Sequence, residues 1–327
     1  MSERDGRPDW QIRTLLVMVA VVAVPVALTH ATIRVPWWER HTVPDPTPLG
    51  YTVSLLIFAV PVAVIVFWHR RHSSHYDKRA FLYCAGLMTA LGSFLDVFFA
   101  YHFFEFPNRN ATLGIRAPAF DWSTLSWVQG YIPVEEFGFY LLGAIFMVAV
   151  YLWADEHWLS SYDPHRHEVA PSLPRILQVS FPALALWVAL LAYGIVHRLQ
   201  MSGTFPAYYM FLMGAGLLPS IVLVRNVKQF VNWPALAFTF TALVLLSLIW
   251  EATMGVPYEW WIYRDRAMLG IYLAGWGNLP LEAVLLWLVG VWDAILFYEF
   301  FRIRHRMEER RLREALFGIR PPTSEVG

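Results

Sequence analysis

The chain has a single cysteine, Cys84, which excludes an intrachain disulfide and any zinc or iron–sulfur centre built on cysteine. It has two lysines, Lys78 and Lys228, and both fall between apolar segments rather than inside one. A retinal protein, which needs a transmembrane lysine for its Schiff base, is thereby excluded. Charged residues make up only 15% of the 327 positions, well below the roughly one quarter expected of a soluble domain. Formal net charge is zero, so the overall balance gives no footing for nucleic acid. No Gly-rich dinucleotide fingerprint is present, and no strand region is expected that would carry one. His69, His72, His75, His165 and His167 are too few and too loosely spaced for a di-iron membrane hydroxylase. They read as solvated loop histidines, and no metal site is expected.

What the chain has in quantity is apolar surface. Hydrophobic residues account for 57% of positions and mean hydropathy is +0.44. A soluble fold of this size could not hide that much; a lipid bilayer can. Crossing about 30 Å of hydrocarbon takes about 20 apolar residues in a helix. Eight segments qualify: Thr14–Thr32, Tyr51–Trp68, Ala80–Phe104, Ile132–Trp153, Leu177–Val196, Ala207–Val224, Trp233–Met254 and Leu279–Phe297. The polar stretch Met1–Arg13 precedes the first with no small-residue cleavage pattern, so that segment is expected to be retained. The predicted architecture is an all-α polytopic membrane protein of about eight spans. Residues 1–160 and 161–300 form two related halves, and 301–327 form a basic tail suited to anionic lipid. A solvated tail is the equal alternative.

Lys and Arg resist translocation, so their distribution sets the orientation. The N-terminal tail, the second, fourth and sixth connections and the C-terminal tail hold 18 of the 25. Both termini are therefore expected in the cytoplasm, with the expected location a bacterial cell membrane. Reporter fusions after Ser74 and at the C-terminus should read as cytoplasmic, and one near Asn110 as external. A cytoplasmic signal at Asn110 would invert the assignment.

One signature occurs twice. Asp96 in the third span is followed by Leu113-Gly114-Ile115 and then by Ile132-Pro133-Val134-Glu135-Glu136. Glu251 in the seventh is followed by Leu269-Gly270-Ile271 and then by Leu279-Pro280-Leu281-Glu282-Ala283. Proline forfeits no hydrogen bond in a first helical turn, so each Pro-x-Glu marks a helix entrance. A glutamate there also suits the positive end of the helix dipole, which is its plain structural explanation. Asp96 and Glu251 are harder to explain that way, because ionisable groups within apolar spans are costly and usually functional. On the orientation above, all these acids approach the external side and could share a pocket.

The same residues carry a family resemblance. Pro133-Val134-Glu135-Glu136-Phe137 with Phe139-Tyr140, its partner Pro280-Leu281-Glu282, and Trp250-Glu251 with Trp261-Ile262-Tyr263 resemble the small membrane-embedded lycopene cyclases of bacteria, archaea and fungi. Those occur as two short subunits or as a fusion, with a Pro-x-Glu-Glu element in each half. The resemblance spans roughly Tyr51–Trp153 and Ala207–Phe297. The chain departs from the pattern at Glu282-Ala283, where two glutamates are usual, and at Glu251, where aspartate is usual.

The resemblance implies cyclisation of an acyclic polyene end group with no net redox change; the missing nucleotide fingerprint and metal clusters point to no cofactor. An acid protonates the terminal double bond, a neighbouring double bond attacks the tertiary cation, and a base removes a proton. A carboxyl can act as the acid only if it keeps its proton, which burial and a second nearby carboxylate both favour. Glu135 and Glu282 are the candidate pair, and Glu136 lies about 100° around the helix from Glu135. Asp96 and Glu251 either share the proton or stay ionised to stabilise the cation and accept the departing proton. Because only the first half keeps two glutamates, Glu135 or Glu136 is expected to supply the proton while Glu282 tunes it. Trp127, Tyr131, Phe139, Trp250, Trp261, Tyr263 and Trp276 are candidates to line the substrate site, since aromatic faces stabilise cations. Tyr258 and Trp260 stand in the same cluster. Singly, each is better explained as a membrane-interface anchor, and it is the cluster as a whole that points to a site. The expected partners are the bilayer and a hydrophobic polyene or prenyl substrate, and homo-oligomerisation is left open. The alternatives are a cyclase or hydratase of another isoprenoid, and a non-enzymatic transporter or lipid-binding subunit with paired halves.

Overall fold

The computed structural model describes residues 47–71, 76–162, 175–307 and 316–318. Within them seven helices are long and apolar enough to cross a membrane. They are α1 (Gly50–Arg71), α2 (Lys78–Phe103), α3 (Val134–Trp158), α4 (Phe181–Ser202), α5 (Ala207–Phe230), α6 (Trp233–Gly255) and α7 (Leu281–Arg306). The chain is an all-α polytopic membrane protein, and these helices match the last seven predicted spans. The first predicted span, Thr14–Thr32, lies outside the described residues, as do His72, His75, His165, His167 and the basic residues Arg310, Arg311 and Arg313.

Helix ends follow local chemistry. The Asp77 carboxylate accepts the Arg79 and Ala80 N–H groups at the start of α2, and the Asn232 side chain accepts Ala235 N–H at the start of α6. Pro133 and Pro280 sit one residue outside α3 and α7, in extended backbone with φ −65° and −64°. Ile132-Pro133 and Leu279-Pro280, predicted as helix, are therefore strand ends. Helix α3 packs against α1, α2, α6 and α7, whereas α4 lies at the periphery. Accordingly 61% of the most apolar window of α6 is buried, but only 11% of that of α4.

Strands occur in the connections after α2 and α6, against the expectation of none. Those connections are apolar and partly buried, and buried backbone must pair its N–H and C=O groups. β1 (Phe104–Glu105) runs antiparallel to β4 (Ile262–Tyr263), with Phe104 opposite Tyr263. β2 (Arg116–Asp121) and β3 (Ser126–Pro133) form a hairpin, and β5 (Tyr272–Leu273) pairs with β6 (Leu279–Pro280). The β1–β4 ladder joins the two halves about a local two-fold. Counting back from Leu113 and Leu269, Asn108 matches Arg264 and Phe103 matches Glu259. The N–H of Asn108 donates to the Glu259 carbonyl, and the N–H of Arg264 donates to the Phe103 carbonyl, so each half makes the other's bond. The second half has one residue more between its acid and its leucine, and α6 contains a π-helical turn there, Glu251–Gly255.

At the opposite end of the bundle a buried polar network ties α3, α6 and α7 together. The Tyr151 hydroxyl donates to Glu299, Arg302 pairs with Glu299 at 3.1 Å, and the Asn232 side chain donates to Asp155 at 2.8 Å.

Candidate active site

The repeated motif is a physical device. In the first half Glu135 Oε1 accepts the Leu113 N–H at 2.7 Å and the Thr52 hydroxyl at 2.6 Å. In the second, Glu282 Oε1 accepts the Leu269 N–H at 2.5 Å. The first backbone N–H of each helix returns the contact, Val134 to the Ile115 carbonyl and Leu281 to the Ile271 carbonyl. Between these bonds the chain must reverse, and Gly114 (φ +77°) and Gly270 (φ +91°) supply the left-handed turn. Each glutamate thus clips its own Leu-Gly-Ile loop to its own helix. No hydrogen bond joins Glu135 to Glu282, so the pairing expected from the sequence is not what their contacts describe.

The other three acids form a second group. Asp96, Glu136 and Glu251 are 0%, 8% and 3% exposed, and Glu136 lies within electrostatic reach of both others. Each accepts a hydrogen bond from a different tyrosine. Tyr140 donates to Asp96 at 3.0 Å, Tyr51 to Glu136 at 2.7 Å, and Tyr263 to Glu251 at 2.5 Å. The Trp287 indole N–H adds a second bond to Glu251 at 3.0 Å. Tyr263 lies outside the spans; burial, and then the charge of Glu251, holds its phenol well above the ordinary tyrosine value, so it stays a donor. The Tyr140 ring that bonds Asp96 packs against Gly92, where any side chain would strike it.

A small space of about 30 Å³ opens between these groups, lined by Glu136 and Glu251, all three tyrosines, Phe139, Trp250 and Trp261. Its aromatic wall is continuous: Phe139 stacks on Trp250 at 5.3 Å between centroids, and Trp250 meets Trp261 at 4.7 Å. Of the aromatics singled out from the sequence, Phe139, Trp250, Trp261 and Tyr263 line this pocket. Trp127, Tyr131 and Trp276 do not. Trp127 is 48% exposed on the hairpin, against Phe98 and Phe120. The Tyr131 hydroxyl donates to the Phe104 carbonyl, and Trp276 lies half-buried in the turn before β6. Trp260 stacks on Tyr51 from behind, and Tyr258 stacks in turn on Trp260.

Sequence reasoning missed Tyr51, Phe104 and Phe106 of the lining, and Trp287, which bonds Glu251. Tyr140 carried a signal, since it falls one helical turn after Glu136 on the same face. Tyr208 is also new: its buried hydroxyl makes no hydrogen bond, and its ring packs against Phe103, Phe104 and Tyr263.

A second, larger cavity of about 450 Å³ lies among α2, α3, α5 and α7. It shares Phe139, Tyr140 and Leu286 with the acidic pocket, and its walls are almost wholly Leu, Met, Phe, Ala and Gly. Asp293 is the single charged residue among them. That volume falls within the roughly 300–1,000 Å³ typical of small-ligand sites. The acidic pocket therefore adjoins an apolar chamber long enough in α7 to extend from Leu286 to Phe297.

The chain matches no family model, no curated protein and no solved structure. The likeness to lycopene cyclases therefore rests on the motif residues themselves.

Proposed function

We propose that the protein is a cofactor-independent cyclase of polyene end groups, lycopene-like in substrate, working by proton-initiated carbocation chemistry. The observation that carries this reading is one pocket in which Glu136 and Glu251 face an aromatic wall beside a large apolar chamber. The chamber suits a hydrocarbon chain, and the pocket suits its reacting end.

The chemistry needs one carboxyl in its acid form and another group to take the proton back. Glu251 accepts bonds at both oxygens, from Tyr263 and Trp287, an arrangement that favours a carboxylate. Glu136 accepts one, at Oε1 from Tyr51, which leaves Oε2 to carry the proton. Glu136 is then the donor to the terminal double bond. The tertiary cation that results sits against Phe139, Trp250 and Trp261, whose faces attract positive charge most strongly where water is excluded. A second double bond of the same chain attacks the cation, closing the ring with one new C–C bond. Glu251 removes the proton that restores neutrality, and Asp96 with Tyr140 holds the field of the pocket. No electrons enter or leave, so the product is an isomer of the substrate.

The test is expression in a lycopene-accumulating bacterium with pigments separated by chromatography. Cyclised pigment is the expected result. Unchanged lycopene, with the protein present in the membrane, would overturn lycopene as the substrate. Failure with shorter acyclic prenyl chains as well would overturn cyclisation itself and leave the transporter reading.

A further inference from the structure

The far ends of α1 and α3 carry a cluster that the cyclase chemistry does not use. His69 stands in the last turn of α1, and Glu156 and His157 lie in the π-helical turn Ala154–Trp158 that ends α3. One ligand atom from each of the three lies within 4.8 Å of the others. The His69 and His157 rings are 5.4 Å apart, and His69 Nδ1 is 3.6 Å from a Glu156 oxygen. Neighbouring residues of an α-helix splay by about 100°. The wider π-turn brings Glu156 and His157 onto α1 together, and such turns are frequent at functional sites.

The His69 side chain is only 8% exposed and that of Glu156 10%, so the solvated reading of His69 is corrected: the packing of α3 covers it. Neither ring nitrogen of His69 makes a hydrogen bond. A buried imidazole without hydrogen bonds is costly to leave so, and coordination would satisfy one nitrogen directly.

We propose that His69, Glu156 and His157 bind a divalent transition-metal ion, with zinc the best match. Two imidazoles and one carboxylate form a borderline donor set of the kind zinc takes, with water or another ligand in the fourth position. Tetrahedral ligation at about 2.0–2.1 Å separates donor atoms by about 3.3 Å, so closure from the present spacing needs only small side-chain movements. The ion would sit apart from the acidic pocket. His69 lies 18 residues along α1 from Tyr51, or about 27 Å at 1.5 Å per residue, far from the acidic pocket. It latches α1 to α3 at one end of the bundle, and at the other end the same helices align Tyr51 and Thr52 with Glu136 and Glu135.

The experiment uses the full chain purified in detergent through a tag that contains no histidine. The protein is stripped with chelator, loaded with zinc, desalted and assayed for metal by elemental analysis. One zinc per chain is expected, with zinc raising the thermal unfolding midpoint. Loss of an outer-shell partner already weakens metal binding by about 10–100-fold, so His69→Gln and His157→Gln should each weaken it by at least that much. Glu156→Gln should weaken it as well, and the zinc-dependent rise in midpoint should vanish in all three. Cobalt substitution gives a second readout: visible ligand-field bands in the wild type, lost in His69→Gln even if that variant is less stable. No retained zinc in the wild type, or zinc retained equally by a His69→Gln/His157→Gln double variant that still elutes as a single species, would overturn the proposal. Because this site is remote from the carboxylates, the result stands whether or not polyene is cyclised.

Discussion

Glu136→Gln should leave a folded protein that forms no detectable ring. The amide keeps the shape of the side chain and still offers Oε1 to the Tyr51 hydroxyl, so the 2.7 Å bond and the packing around it survive. What disappears is the proton for the terminal double bond. A positioned acid contributes about 10²–10⁴-fold to rate, so the expected loss exceeds what a pigment assay resolves. Chromatography of pigments, normalised to the amount of protein in the membrane, measures it directly. Glu251→Gln should fall nearly as far, because the departing proton loses its acceptor and the cation its nearest fixed charge. The wild type, with a single donor, should release singly cyclised product before any doubly cyclised product. Full turnover in Glu136→Gln would move the donor to Asp96 or Glu135, and the role given to Glu136 would be lost.

The membrane architecture was legible because bilayer thickness imposes a length on every span, and seven of the eight predicted segments are seen as helices. Their ends were less legible. Ile132-Pro133 and Leu279-Pro280 are apolar enough to extend the neighbouring helices on paper. A proline whose own backbone is extended instead closes a strand, and only the partners Arg116 and Tyr272 reveal that. The repeat was visible because three short elements recur in order. Its meaning was not, since a glutamate that clips a loop and a glutamate that faces a pocket occupy adjacent positions in the same motif. A step of about 100° around α3 separates the two roles. The sequence implied that Glu135 and Glu136 point differently, but nothing in it said which one met the pocket. Tyr51 was out of reach for another reason: 85 residues separate it from Glu136, and no periodicity links a span's first residue to an acid two helices later. Phe139, Trp250, Trp261 and Tyr263 were recoverable because they flank the acids in sequence. Trp127 and Tyr131 also flank them, but the longer first-half hairpin carries Trp127 outward and turns Tyr131 towards the Phe104 carbonyl.

The two clipping glutamates should separate from the acid by their response to amide and to alanine. In Glu135→Gln and Glu282→Gln the side-chain oxygen remains to accept the Leu113 and Leu269 N–H groups, so the loops stay closed. Both variants should fold and retain a substantial part of the wild-type turnover. In Glu135→Ala and Glu282→Ala the acceptor is gone and a backbone N–H near a helix entrance loses its partner. Hydrogen bonds to charged groups contribute about 1.5–3 kcal/mol each. Glu135, which holds both Leu113 and Thr52, should therefore cost more than Glu282, which holds Leu269 alone. Thermal unfolding in detergent should rank the variants in that order, and activity should fall with stability, because Glu135 is the chain neighbour of Glu136 in α3. The contrast that decides the matter is Glu135→Gln against Glu136→Gln. A stable Glu135→Gln protein as inactive as Glu136→Gln would show that Glu135 carries the reactive proton, and its bonds to Leu113 and Thr52 would then serve to aim an acid rather than to close a loop.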